Sequence, residues 1–250
     1  MRVLALDTTT RSGGVALIED HRLVAERIGD SSRTHAERLP GEILWVLDRY
    51  GLRSSDIDVF AVAVGPGSFT GLRVGIATIQ GLAMVNGRRI AAVSALEAAA
   101  QAAGQQLEAG ALVGVWLDAA RGEVFSALYR LESFPPFDSG RLRLVDGPSV
   151  LQPVAVLDGW QAVVADASIN IAGSGATLHA ASIRERRPNA TITGGMPLAG
   201  AIGLIGAIRA ARHETVEPSA VRPLYVRRPD AEVDRDRREA LTRGATRPDA

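Results

Sequence analysis

The sequence predicts an α/β protein of two related lobes, each a mixed sheet flanked by helices. Strand-like runs come first as a hairpin-linked group and then alternate with helical stretches. The cadence of the opening returns, more weakly, in the second half of the chain. The composition is that of a soluble globular protein: 250 residues, 46% hydrophobic and 22% charged. That is enough chain for one large domain or two small lobes.

Residues 3–7, 14–19 and 23–28 read as strands, and the turn around Asp20 is short enough for a hairpin. A helix follows in "THAERLPGEILWVLDRYG". Thr34 and Glu37 fit a capping box, and Gly51 is a C-terminal stop. Leu39, Ile43 and Leu47, joined by Leu44, form an apolar stripe at helical spacing. Pro40 leaves two options, a helix that begins near it or one that kinks there. The short buried strand "VFAVAV" leads to a second helix over residues 69–86. Strand "RIAAVS" then leads into an Ala-rich helix over 95–106. The order βββαβαβα is the pattern of the ribonuclease H-like fold. "VGVWLDAARGEVFSALYRL" then echoes "RVLALDTTTRSGGVALIED", with Asp118 matching Asp7 and Arg121 matching Arg11. The expected organisation is a first lobe over 1–106, completed by a helix at 198–212, and a smaller second lobe over 107–197. A C-terminal segment covers 213–229. Residues 230–250, charged and poor in large apolar side chains, read as a disordered tail.

Charge and composition exclude several classes. Net charge is zero and the isoelectric point about 6.9, which gives no bulk signal for nucleic-acid binding. Neither Lys nor Cys occurs. No Schiff-base lysine, P-loop lysine, thiolate nucleophile or disulfide is therefore available. The opening apolar run stops at Asp7 after about five residues, short of the roughly seven to fifteen of a signal peptide. Residues 198–211 are too short and Gly-rich for a membrane span of about 20 residues. A cytoplasmic protein without membrane contact is the expectation.

The glycines of "VGPGSFTGLRVG" suggest a phosphate cradle, yet the loop fits neither the P-loop nor the dinucleotide pattern. Ser68 or Thr70 can cap the helix behind it, and its amides offer a generic anion site. Gly71 and Gly75 share one helix face, beside a stripe of Leu72, Ile76, Ile79 and Ala83. Interior glycines cost about 0.5–1 kcal/mol each relative to Ala. Such a face suits very close packing, either on the chain's own sheet or against a partner helix. The "DTTT" strand end could hold a metal–phosphate group or simply form an Asx turn. "IAGSGATL" reads as a worn nucleoside loop or a plain turn. His35 has Leu39, not a second His, four positions on, and the other histidines are scattered, so no metal site is expected. No catalytic constellation stands out, and no cofactor is expected.

The stretches "LALDTTTRSGGVAL", "THAERLPGEI", "VAVGPGSFTGLRVGIATIQGLA", "LDAARGEVFSALY" and "RPLYVRRP" closely resemble the TsaB (YeaZ-like) family, over residues 1–229. The resemblance implies the actin-like/Hsp70/sugar-kinase fold and a non-catalytic scaffold role. The chain would partner TsaD, the subunit that transfers threonylcarbamoyl to the adenosine beside the tRNA anticodon. TsaD-type relatives carry a His-x-x-x-His metal pair that this chain lacks at His35. TsaE, an ATPase, would join the complex, TsaC-type enzymes would supply the threonylcarbamoyl-adenylate, and tRNA contact would be indirect at most. The resemblance also favours a partner helix over the chain's own sheet as the contact of the Gly71/Gly75 face. Leu39, Ile43, Leu47, Gly71, Leu72, Gly75, Ile76, Ile79 and Ala83 would then face TsaD, or a second copy in a homodimer when the chain is alone. Gly75→Leu would abolish partner binding and leave the monomer folded. The rival reading is a small ATP-dependent kinase or ATPase of the same fold.

Overall fold

A computed structural model describes residues 1–227; the tail expected at 230–250 lies outside the described residues. The first lobe runs β1 (Arg2–Asp7), β2 (Gly14–Glu19), β3 (Arg22–Ile28), α1 (His35–Asp48), β4 (Val59–Gly65), α2 (Phe69–Val85), β5 (Arg89–Ser94) and α3 (Ala95–Ala103). There follow β6 (Leu112–Asp118), β7 (Val124–Leu131), β8 (Leu142–Leu151), α4 (Pro153–Val164), β9 (Ile169–Ala172), α5 (Ser174–Leu178), α6 (Ala180–Arg186), β10 (Thr191–Thr193) and α7 (Ala199–Ala211).

The strands form two five-stranded sheets, ordered β3-β2-β1-β4-β5 and β8-β7-β6-β9-β10. In each sheet the first three strands are antiparallel and the last two run parallel to the central strand. The same order twice, strand for strand, is the duplication that the Asp7/Asp118 echo predicts. The expected two-lobed α/β fold is the one observed.

β1 is buried on both faces because both faces are covered. Leu4 and Leu6 join Leu17, Phe60 and Val62 beneath α1 and α2. On the other face small side chains, Ala5, Ala16, Ala61 and Ala91, meet α7. A Cβ on Gly203 would lie 2.5 Å from Ile18, and one on Gly206 2.8 Å from the Ala61 Cβ. The Gly-rich run therefore brings α7 flat onto the first sheet. α3 packs against α7 and β6, so one apolar core runs from Val3 and Ile202 through Leu96 to Val113 and Val115.

α1 starts at His35 and runs through Pro40, so the helix does not begin near the proline. The Glu37 carboxylate accepts from the Thr34 amide at 2.8 Å and hydroxyl at 2.7 Å. At the other end Leu52 N–H reaches the Leu47 carbonyl and Gly51 N–H reaches Asp48. With Gly51 at φ +61°, this is a Schellman stop. Residues 133–153 are Pro-rich, and within them β8 is an edge strand that carries Pro148, where an absent N–H is tolerated. Among the described residues no helix is long and apolar enough to cross a membrane.

Candidate functional site

The ends of the two central strands, β1 and β6, open on a cleft of about 1060 Å³ between the lobes. Each strand ends in an Asp that folds back on its own turn. Asp7 accepts from Thr9 N at 2.9 Å and Thr9 Oγ1 at 2.6 Å. Burial pushes its carboxyl above the usual carboxylate range, against the pull of those two hydrogen bonds. Asp118 accepts from Ala120 N at 2.8 Å, and its own N–H donates to Ser174 Oγ at 3.1 Å. Of the two options for "DTTT", the structure shows the Asx turn.

The first turns of α1 pin the β1–β2 turn in place. Arg38, buried, donates to both Glu42 oxygens at 2.8 and 2.7 Å, to the Arg11 carbonyl at 2.9 Å and to the Ser12 carbonyl. It also donates to His35 Nδ1 at 2.8 Å, so the opposite ring nitrogen carries the proton and donates to the Thr10 carbonyl at 3.0 Å. Burial, then the Arg38 charge, hold the His35 imidazole below its ordinary pKa. His35 is thus a neutral structural side chain. Among the described residues no three His, Asp or Glu side chains gather to hold a metal.

The glycine loop after β4 is consumed by packing. Ser68 N donates to the Thr9 carbonyl at 2.8 Å, and Ser68 Oγ caps α2 by accepting from Gly71 N at 3.2 Å. A Cβ on Gly71 would stand 2.2 Å from the Thr8 carbonyl oxygen, and one on Gly75 2.1 Å from Thr8 Oγ1. The second lobe repeats the arrangement. Gly173, at φ +115°, and Gly175 let α5 approach the Trp116 carbonyl, where a Cβ would stand 2.3 and 3.1 Å away. "GPGSFTG" and "GSG" occupy matching places in the two lobes, after β4 and after β9. The sequence carried that correspondence in its spacing after each parallel strand, but the shorter loop hid it.

This geometry corrects the expected partner face. Leu39, Ile43, Leu47, Leu72, Ile76, Ile79 and Ala83 are all buried in the chain's own core. Gly71 and Gly75 pack on Thr8. Apolar spacing marked the faces that the two helices turn to their own sheet. Their opposite faces are open. On α2 these are Ala77, Gly81, Met84 and Val85, with Met84 68% and Val85 87% exposed. On α1 they are Pro40, Gly41, Leu44 and Trp45, with Leu44 57% exposed. A Cβ on Gly41 or Gly81 would meet nothing. The outer face of α2 follows helical spacing as faithfully as the inner one, and small residues sit on both.

Residues 222–227, part of the "RPLYVRRP" stretch, bridge the lobes along the cleft. Leu224 N donates to the Val64 carbonyl at 2.6 Å. The Tyr225 ring lies 5.0 Å from Phe69, and its hydroxyl accepts from Arg73 Nε at 3.2 Å. On the second lobe Arg227 donates to the Ala119 carbonyl at 2.7 Å and pairs with Glu123.

Comparison with known proteins places these features in a family. A model of the family "TsaD: tRNA N6-adenosine threonylcarbamoyltransferase" matches residues 29–133. The chain is 33% identical over 171 residues to the tRNA threonylcarbamoyladenosine biosynthesis protein TsaB of Escherichia coli, covering 65% of this chain and 73% of that one. The TsaB protein of Bacillus subtilis is 33% identical over 133 residues, 53% of this chain and only 57% of its own length. The solved structure of YeaZ from Pseudomonas aeruginosa superposes with a TM-score of 0.70 at 32% identity, covering 90% of this chain and 99% of that one.

Proposed function

Because the chain belongs to the TsaB (YeaZ-like) family, we propose that it serves in tRNA threonylcarbamoyladenosine biosynthesis as a non-catalytic subunit that binds and activates TsaD. The observation that carries this reading is the uncovered apolar strip on the outer faces of α1 and α2. Contiguous exposed apolar surface of this kind marks interaction sites. Ala77 and Gly81 are one turn apart, so another helix can approach α2 closely. Residues 29–133, which match the TsaD family model, contain both helices. TsaD therefore offers a related helix pair, and two related patches pair most simply about a pseudo-two-fold axis. The same patch on a second copy would serve a homodimer when TsaD is absent. The non-catalytic part of the reading rests on the strand-end carboxylates. Asp7 is buried in its own turn, and the glycine loop spends its closest amide on Thr9. TsaE would join the assembled pair.

The test uses the chain and the TsaD of the same organism. Gly81→Glu should fold, since its position is open and Glu favours helix over Gly by up to about 1 kcal/mol. It should lose co-elution with TsaD in size-exclusion chromatography and fail to support tRNA modification in the reconstituted reaction. Co-elution and modification equal to those of the unaltered chain would overturn the reading.

A further inference from the structure

The last turn of α2 stops on Asn86 and Gly87, and its outward residues, Met84 and Val85, are the most exposed apolar side chains of the docking face. We propose that Asn86 is a self-modification site: it loses its side-chain amide to attack by the backbone nitrogen of Gly87, and the product loosens the end of α2 and weakens TsaD docking. The second half of this proposal rests on the docking reading above; the first half does not.

The stop is a Schellman motif. Arg88 N–H donates to the Ala83 carbonyl at 2.8 Å and Gly87 N–H to the Met84 carbonyl at 3.3 Å, with Gly87 at φ +60°. That φ favours Gly, and Gly leaves the peptide nitrogen after Asn86 without a side chain to shield it. A Cβ there would meet no atom, and Gly87 is exposed. The residue that stops the helix is therefore also the one that bares the attacking nitrogen. Asn86 Nδ2 donates to the Leu82 carbonyl at 2.7 Å. This bond and the one from Gly87 N–H hold the reacting groups in their helical places, so attack waits for the last turn to open. The exposure of Met84 and Val85 leaves little packing to resist that opening.

When the turn opens, the Gly87 nitrogen bonds to Asn86 Cγ and the Cγ–Nδ2 bond breaks. Ammonia leaves with the Gly87 amide proton, and a succinimide remains. Water then opens the ring at one of its two carbonyls, leaving aspartate or isoaspartate at position 86. Either product replaces a donor with a carboxylate that only accepts, beside the Leu82 carbonyl and at the negative end of the helix. Isoaspartate also lengthens the main chain by a methylene, which the Schellman bonds do not fit. Met84 and Val85 then lose their fixed place on the docking face. TsaD bound over them keeps the turn closed, and a reaction of the open form follows the population of that form. A chain without its partner thus loses, with age, the face that binds it.

Peptide mapping by mass spectrometry tests this on the full chain, aged at mildly alkaline pH with and without saturating TsaD of the same organism. The chain has three asparagines, and Asn189, exposed but followed by Ala190, is the internal control. Asn86 should convert well ahead of Asn189 and of Asn170, which is followed by Ile171. Gly87→Ala should slow conversion of Asn86, and Asn86→Gln, whose longer side chain must close a larger ring, should stay intact. Bound TsaD should slow conversion in proportion to the fraction of chain bound. In size-exclusion chromatography the aged chain and fresh Asn86→Asp should bind TsaD about threefold more weakly than the fresh chain. Aged Asn86→Gln should match its own fresh sample. Conversion of Asn86 no faster than that of Asn189 would overturn the site, and the chain alone reads this whether or not TsaD binds. Equal conversion in the free and TsaD-bound chain, or undiminished co-elution of the converted chain, would overturn the link to docking. Absence of co-elution with the fresh, unaltered chain would remove the docking reading and that link with it.

Discussion

Gly75 sits where α2 crosses the end of β1, with Thr8 Oγ1 2.1 Å from the place of its missing Cβ. Thr8 is fully buried, so there is little room for its side chain to rotate away, and among the described residues its hydroxyl has no hydrogen-bond partner. Even a methyl must move backbone or Thr8. Gly75→Ala should therefore destabilise the monomer by about 1–3 kcal/mol, despite a helix-propensity gain of up to about 1 kcal/mol. Gly75→Leu should fail to fold, the reverse of what the sequence suggested. Urea denaturation followed by circular dichroism reads the difference, and wild-type stability of Gly75→Ala would show that Thr8 yields at no cost. Glycines four apart declare close packing. They do not declare what is packed, because spacing describes one helix and the contact belongs to two elements.

Among the elements, the C-terminal segment was the hardest to read. "RPLYVRRP" has neither helical nor strand periodicity, and its value to the fold lies in contacts that span both lobes: Leu224 to β4, Tyr225 to Phe69 on α2, Arg227 to the turn after β6. Tyr225→Ala removes an aromatic pair worth about 0.5–1.5 kcal/mol beyond its buried area. For a chain of this size the melting temperature should fall by about 2–4 °C per kcal/mol lost. A scanning-calorimetry midpoint unchanged in Tyr225→Ala would show that the segment merely rests on the cleft wall. The elements of the first lobe were legible because each advertises itself locally, whereas α4, α6, β8 and β10 of the second lobe were not placed from the sequence. The Thr34/Glu37 box and Gly51 mark the two ends of α1, and continuous apolar runs mark β1 and β4. Pro40 was ambiguous for the same reason, since one residue cannot report whether neighbouring packing will hold a helix together around it.

At the scale of the whole molecule the two lobes share a core. α3 and α7 lie against the first sheet, and α3 also reaches β6, so Leu96, Ile202, Val113 and Val115 belong to one buried cluster. The lobes should unfold together. In a Trp45→Phe chain the remaining tryptophans, Trp116 and Trp160, are both buried in the second lobe. Their fluorescence should change at the same urea concentration as the backbone signal; two separated transitions would show lobes that fold independently. The sequence by itself determined the fold class, the duplication and the run of elements through the first lobe. Those follow from periodicity, caps and repeated motifs, which are properties of neighbours along the chain. Only the tertiary structure decided which face of α1 and α2 is core and which is open. It also decided that the glycine loop is spent on Thr8 and Thr9, and that Arg11 and Arg73 line one cleft with Asp118. Each of these depends on residues far apart in the chain, and on a helix with small apolar residues all around it, where no pattern within the helix says which side meets the sheet.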